Sequence, residues 1–126
     1  MLYEDEIAKL TLDASFHIHR ELGPGLLESV YETVLAHELR KRGLTVQTQV
    51  NIPFKWDQIT FDHGFRADII IERKVIIEVK SVERIVAVHP KQLLTYLKLT
   101  KFNLGLLLNF NEELLKDGIK RVVNRL

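Results

Sequence analysis

The segment RADIIIERKVIIEVK, residues 66–80, decides the fold of this chain of 126 residues. Two runs of β-branched residues within it predict two strands, because such residues fit the pleated surface of a sheet. The polar tripeptide at residues 72–74 separates the runs and predicts a three-residue turn between antiparallel strands. In that pairing Ile71 lies opposite Val75, and position 68 lies opposite position 78.

Three charged side chains are expected to converge on one face of this hairpin. The pairing sets Asp68 opposite Glu78, with about 5 Å between their Cβ atoms. Lys80 follows Glu78 by two positions and therefore points to the same side of its strand. The surrounding runs are typical of strands covered on both faces, and buried charges are costly unless something compensates them. A metal site is one interpretation, and an ordinary cross-strand ion pair on a solvated face is the other.

The metal-site interpretation indicates phosphodiester hydrolysis. That reaction needs compensation of the phosphate charge, an activated water and a stabilised leaving oxygen, and a divalent cation held by carboxylates can supply all three. Mg²⁺ binds through one or two carboxylates and keeps several waters, which suits an Asp and a Glu. Asp68 and Glu78 are thus candidate ligands of Mg²⁺ or Mn²⁺. Lys80 is a candidate for positioning the attacking water or stabilising charge in the transition state.

Two predicted helices supply further candidates. Gln92 and Tyr96 are four positions apart on the helix after the Glu-Val-Lys strand, so they share one face. They could hydrogen-bond a phosphate or orient Lys80, or they could simply lie at the rim of the helix. Glu28 lies near the start of the second helix, where the helix dipole stabilises an acid. The sharper alternative is that Glu28 is a further metal ligand, with Tyr31 supporting it.

The whole chain predicts one α/β domain, residues 1–126, in which helices flank a mixed β-sheet in three layers. Periodicity and turn residues place the elements as follows. Helices are predicted at 4–22, about 26–42 and about 90–100, the last with Pro90 in its first position. Strands are predicted at 44–52, 104–110 and 119–123, with a short hairpin around Asp57-Gln58 and a helical turn at 112–116.

The apolar residues also predict which side of each element is buried. In the strand at 44–52, Val46, Val50 and Ile52 fall on one face, and Pro53 after them predicts a position near the sheet edge. The second helix has its apolar residues on one side: Leu27, Val30, Tyr31, Val34 and Leu35.

Composition excludes several classes of protein. A hydrophobic fraction of 46% is ordinary for a globular chain, which excludes global disorder. No apolar run reaches the roughly 18 residues of a membrane span, and the acidic N-terminus is unlike a signal peptide. The absence of cysteine excludes disulfides, thiolate metal sites and cysteine nucleophiles. A cytoplasmic protein without membrane contact is expected, and a net charge of +1 neither favours nor excludes nucleic acid.

Several motifs together resemble one family. GLLESVY at residues 25–31 resembles the defining motif of the GxxExxY proteins, a group of the PD-(D/E)XK nuclease superfamily. The resemblance extends over nearly the whole chain from about residue 14. It includes these segments: HRELGP at 19–24, GFRAD at 64–68, EVKS at 78–81, HPKQLLTYL at 89–97, GLLLNFN at 105–111 and LLKDGIKR at 114–121.

The resemblance implies a restriction-endonuclease-like core, with a central mixed sheet between helices, and a set of site residues. Asp68, Glu78 and Lys80 match the acidic-acidic-lysine signature of the superfamily. Glu28 resembles the helix-borne acid that many members add as a metal contact. The helical pair four residues apart resembles the QxxxY element of RecB-like and Cas4-like exonucleases. The proline that usually precedes the first acid is replaced by Ala67.

The function expected on these grounds is a metal-dependent nuclease that acts on DNA, in repair or in defence against foreign DNA. One alternative is a non-catalytic nucleic-acid-binding or protein-interaction module on a nuclease fold, which the low net charge favours. Another is a junction-resolving endonuclease that works as a homodimer, because small nucleases of this fold often need two sites for two strands.

Overall fold

Five strands form one sheet whose spatial order follows the chain, β1-β2-β3-β4-β5, in the computed structural model, which describes residues 1–125. The strands are β1 Val46–Trp56, β2 Ile59–Ile71, β3 Val75–Lys80, β4 Leu104–Asn109 and β5 Ile119–Val123. The helices are α1 Glu4–Leu22, α2 Glu28–Lys41 and α3 Val88–Thr100, with a 3₁₀ turn at Leu115–Gly118. Among the strands of the described residues only β3 and β4 pair in parallel, across the connection that contains α3; the other neighbours are antiparallel.

The sheet is covered on both faces, so the predicted three-layer α/β architecture with a central mixed sheet is confirmed. Ile69, Ile71 and Ile77 pack with α1 and α2 on one face. Ile70 and Ile76 pack with α3 on the other. The continuous apolar runs of β2, β3 and β4 follow from this double coverage. None of the helices in residues 1–125 is both long and apolar enough to cross a membrane.

The β2–β3 hairpin has the predicted register and turn length. Ile71 pairs with Val75, and residues 72–74 connect the strands. Glu72 and Arg73 both have a φ of 53°, the left-handed conformation that a type I′ turn requires at its two central positions. Neither is a glycine, and the turn is held from outside: the N–H of Thr45 donates to the Glu72 carboxylate at 3.1 Å.

The predicted short hairpin around Asp57-Gln58 is confirmed, and its two arms are continuous with β1 and β2. One long hairpin runs from Val46 to Ile71 around Asp57-Gln58. Pro53 lies inside β1 at an irregularity of the register, rather than after the strand. Proline is tolerated there because β1 is an edge strand, as predicted, and a bulge needs no regular ladder of hydrogen bonds.

The prediction that Val46, Val50 and Ile52 share one face is also wrong. Val46 packs with the α1 and α2 cluster, whereas Val50 and Ile52 pack with the α3 cluster. Between them Gln49 has a φ of 51°, which breaks the strict alternation of a strand. The β1–β2 register skips the Gln49–Asp68 pair. The change of face therefore occurs opposite Asp68.

Three helical boundaries differ from prediction. α2 begins at Glu28, two residues late, and Leu27 ahead of it is 73% exposed, so the predicted buried side extends too far. α3 begins at Val88, which makes Pro90 its third residue; proline is still tolerated because first-turn N–H groups have no helical partner. The turn predicted at 112–116 is the 3₁₀ turn Leu115–Gly118, next to a β5 that has the predicted bounds.

Candidate active site

Asp68 and Glu78 lie directly beyond the point where β2 and β3 stop pairing. The last ladder pair is Ile69 with Ile77. The N–H of Val79 then donates to Oδ2 of Asp68 at 2.9 Å, and the N–H of Asp68 donates to Oε2 of Glu78 at 3.3 Å. Carboxylate oxygens thus accept hydrogen bonds from main-chain groups of the two strands. The structure brings together the two acids that the sequence places opposite each other.

Glu78 is buried next to another acid. Glu78 as a whole is only 8% exposed. Burial, then the charge of Asp68, then a hydrogen bond with Asp68 raise the pKa of Glu78 to about 9, against a smaller opposing effect of Lys80. A buried carboxyl without a compensating charge favours its neutral form. Glu78 therefore holds a proton at neutral pH when no cation is bound.

Lys80 and Tyr96 lie within electrostatic reach of the two acids. The charge of Lys80 lowers the pKa of Glu78, although less than burial raises it. The ring of Tyr96 stacks on Phe65 with centroids 3.9 Å apart. Burial, then the charges of Glu78 and Asp68, raise the pKa of Tyr96. α3 thus supplies one of its two predicted residues to the site.

Gln92, the other predicted residue of α3, is exposed one turn before Tyr96. Its side chain makes no hydrogen bond within residues 1–125. The structure therefore places Gln92 on the same helix face as Tyr96 but does not join it to the carboxyl pair.

Glu28 connects α2 to the end of β3. Its Oε1 accepts a hydrogen bond from the N–H of Ser81 at 3.2 Å, and Oγ of Ser81 donates to the carbonyl of Leu26 at 2.6 Å. Tyr31 is buried, and its hydroxyl donates to the carbonyl of Gly23 at 2.6 Å. Tyr31 thus anchors the loop before α2 rather than contacting the Glu28 carboxylate. Because this loop is anchored, α2 begins at Glu28, two residues later than predicted.

A cavity of about 770 Å³ opens between α2, the middle of β2 and the end of β3; we call it the α2-side cavity. Its lining residues are Leu26, Leu27, Glu28, Ser29, Glu32, Gln49, Arg66, Asp68, Val79 and Ser81. Glu28 and Asp68 therefore share this space. Val79 and Ser81 line it and Lys80 between them does not, because alternate residues of a strand point to opposite sides.

Of the five charged or amide side chains that line this cavity, three are absent from the sequence-based site: Glu32, Gln49 and Arg66. Burial raises the pKa of Glu32, and a hydrogen bond from the Gln49 amide opposes that effect. Glu32 follows Glu28 by four positions and Arg66 precedes Asp68 by two, so their spacing was a usable signal. Gln49 had no such signal, since nothing in the sequence indicates that its backbone has a positive φ.

Asn109 is a fourth residue that the sequence reasoning missed. It is fully buried at the end of β4. Its Oδ1 accepts from the N–H of Val82 at 3.0 Å, and its Nδ2 donates to the carbonyl of Val82 at 2.9 Å. These bonds hold the segment that follows Lys80. A polar residue inside an apolar run was the available signal, since buried amides need partners.

The donor set of the site fits a hard divalent cation. Asp68 and Glu78 offer carboxylate oxygens, which Mg²⁺ and Mn²⁺ prefer. A cation would also compensate Glu78, which is buried and forms no salt bridge within residues 1–125. In that part of the chain no group of three or more Asp, Glu, His or Cys residues is placed to hold a metal ion. Glu28 is therefore near Asp68 without completing a three-ligand site.

Comparison with known proteins gives one match. The family model described as the PD-(D/E)XK nuclease superfamily matches residues 5–122, a span that includes all the site residues named above. No curated protein and no solved structure matches the chain significantly.

Proposed function

The chain belongs to the PD-(D/E)XK nuclease superfamily, and we propose that it is a Mg²⁺- or Mn²⁺-dependent nuclease that hydrolyses phosphodiester bonds in DNA, in repair or in defence against foreign DNA. Membership of a nuclease superfamily implies nucleic acid as the partner. The motif at residues 25–31 supports a narrower assignment to the GxxExxY proteins. We also propose that residues 1–126 act as one nuclease domain.

The observation that supports this proposal best is the carboxyl pair at the end of the β2–β3 ladder. A buried acid with a strongly raised pKa beside a second acid costs folding free energy. Groups with strongly shifted pKa values cluster at functional sites, because catalytic acids, bases and ligands need pKa values matched to their task. The same pair matches the acidic part of the superfamily signature.

Each residue then has a proposed role. Asp68 and Glu78 hold the metal ion and Glu28 assists from the edge of the α2-side cavity. A bound divalent cation supplies charge compensation and a water of lowered pKa. Lys80 positions the attacking water or stabilises charge on the phosphate. Tyr96 and Gln92 orient Lys80 or the scissile phosphate from α3.

The test is cleavage of labelled DNA and RNA oligonucleotides with Mg²⁺ or Mn²⁺. Asp68→Asn and Lys80→Ala should each lower the rate by about 100-fold or more, because both residues act on the reacting groups. Asp62→Asn is the matched control, an exposed acid on the same strand. Thermal unfolding shows that the variants remain folded. Cleavage at the wild-type rate by both Asp68→Asn and Lys80→Ala would refute the proposal.

A second candidate is a non-catalytic interaction module, and the outer part of the β1–β2 hairpin favours it. The pairs Phe54 with Phe61 and Trp56 with Ile59 put four apolar residues on one face of that hairpin. Trp56 is 69% exposed, and contiguous exposed apolar surface is typical of interaction sites. Calorimetric titration with Mn²⁺ separates the two candidates. Binding that Asp68→Asn abolishes favours the nuclease, and absence of binding favours the module.

The dimeric junction-resolving endonuclease makes a different prediction. It requires a solution mass of twice the 14.7 kDa of the chain and faster cleavage of branched than of linear DNA. Light scattering and a comparison of both substrates test it. A monomer that cleaves linear DNA faster would exclude it.

A further inference from the structure

Arg66 lies on β2 two residues before Asp68 and lines the α2-side cavity with it. It is the only cationic residue among those that line this cavity, which also contains the carboxylates of Glu28, Glu32 and Asp68. The lining therefore has a formal charge of −2 when all three acids are ionised. A bound divalent cation would neutralise that charge.

Arg66 is exposed and shares the cavity with three acids, yet its guanidinium has no partner within the part of the chain that the structure describes. Within residues 1–125 its side chain forms neither a salt bridge nor a hydrogen bond. The nearby acids bond elsewhere: Glu28 accepts from Ser81 and Glu32 from Gln49. Arg66 and Glu32 nevertheless line the same cavity, and the charge of Arg66 opposes the rise of the Glu32 pKa that burial causes.

We infer that the α2-side cavity binds one nucleotide unit of the substrate strand, and that Arg66 holds the phosphate of that unit. This inference rests on the proposed nuclease function. A guanidinium offers two parallel N–H donors that match two phosphate oxygens. A volume of about 770 Å³ lies in the range of ligand pockets. Leu26 and Leu27 at the rim supply apolar surface for the sugar or base.

The position of the cavity defines a path for the strand. Lys80 does not line the cavity, and Tyr96 approaches from α3 on the other face of the sheet. Asp68 and Glu78 lie between the residues that line the cavity, on one side, and Lys80 and Tyr96, on the other. A strand with its scissile phosphate at Asp68 and Glu78 would thus have a neighbouring phosphate at Arg66.

The test compares Arg66→Gln with the control Arg73→Gln, an exposed arginine at the turn at the far end of β2. Binding of a fluorescent DNA strand is measured with Ca²⁺ in place of Mg²⁺, and gels verify that the strand stays intact. Arg66→Gln should weaken binding about tenfold and reduce the slope of log K against log salt by about 0.7, the value for one phosphate contact on a single strand. The affinity of Arg66→Lys should lie between that of Arg66→Gln and that of the wild type. Mn²⁺ affinity should not fall, since Arg66 is not one of the proposed metal ligands and its positive charge opposes cation binding.

Methylphosphonate substitution locates the contact. Replacing one phosphate at a time with a neutral methylphosphonate should reveal one position that weakens binding to the wild type and to Arg73→Gln but not to Arg66→Gln. If Arg66→Gln binds within twofold of the wild type, or keeps every positional effect, the inference is overturned and the proposed function stands. If the wild type neither binds nor cleaves any nucleic acid, both are overturned.

Discussion

At the scale of single residues, Glu78 makes folding stability depend on pH. Its pKa rises from 4.5 in the unfolded chain to about 9 in the folded protein. Between those values the folded state holds more protons than the unfolded state, so the free energy of unfolding falls as pH rises. The slope reaches at most about 1.4 kcal/mol per pH unit. Urea unfolding from pH 5 to pH 9 in EDTA measures it.

The matched variant for this prediction is Glu78→Gln, which keeps the shape and removes the titration. Its stability should depend less on pH than that of the wild type, and it should be the more stable of the two at pH 8 without metal. Equal slopes for both proteins would contradict the assignment of the pH dependence to Glu78.

The sequence predicts some of these residues and not others for a physical reason. Asp68 and Glu78 follow from counting outward from a turn, because pairing in a hairpin is local. Arg66 and Glu32 had the right spacing, but neither spacing shows that the residue faces a cavity. Ser81 was part of a motif, yet its bond to Glu28 joins residues 53 positions apart.

At the scale of elements, the apolar runs were sufficient to predict β3, β4 and the inner part of β2. The change of face in β1 was not predictable, because Gln49 is not a residue type that favours a positive φ. Tertiary contacts hold it there, among them its hydrogen bond to Glu32. The late start of α2 has a similar cause, since Tyr31 and Ser81 hold the preceding loop.

The packing of α3 on β4 depends on Gly105. A Cβ at this position would lie 2.9 Å from Cγ and Cδ1 of Leu93. Gly105→Ala should therefore destabilise the protein by about 1–3 kcal/mol through overpacking. Urea unfolding at pH 7 measures the loss. The double variant Gly105→Ala/Leu93→Ala should lose less than the sum of its single changes, and strict additivity would contradict this account.

At the scale of the whole molecule, the proposed metal site connects ligand binding to folding. A ligand at 100 times its Kd stabilises the native state by about 2.7 kcal/mol. Mn²⁺ at that excess should raise the free energy of unfolding of the wild type by this amount at pH 8. Asp68→Asn should abolish the increase. An unchanged unfolding curve of the wild type in Mn²⁺ would contradict the site.

The spatial order of the strands has a consequence for the folding pathway. Each strand pairs with its neighbour in the chain, so most of the sheet has a low contact order, and hairpins of this kind close within microseconds. Within residues 1–125 only the β3–β4 pair needs a long connection, across residues 81–103. The bond between Glu28 and Ser81 spans a still longer stretch of chain. We therefore expect the hairpins to form early and the proposed active site late, so that a partly folded chain already has its hairpins but lacks the proposed activity.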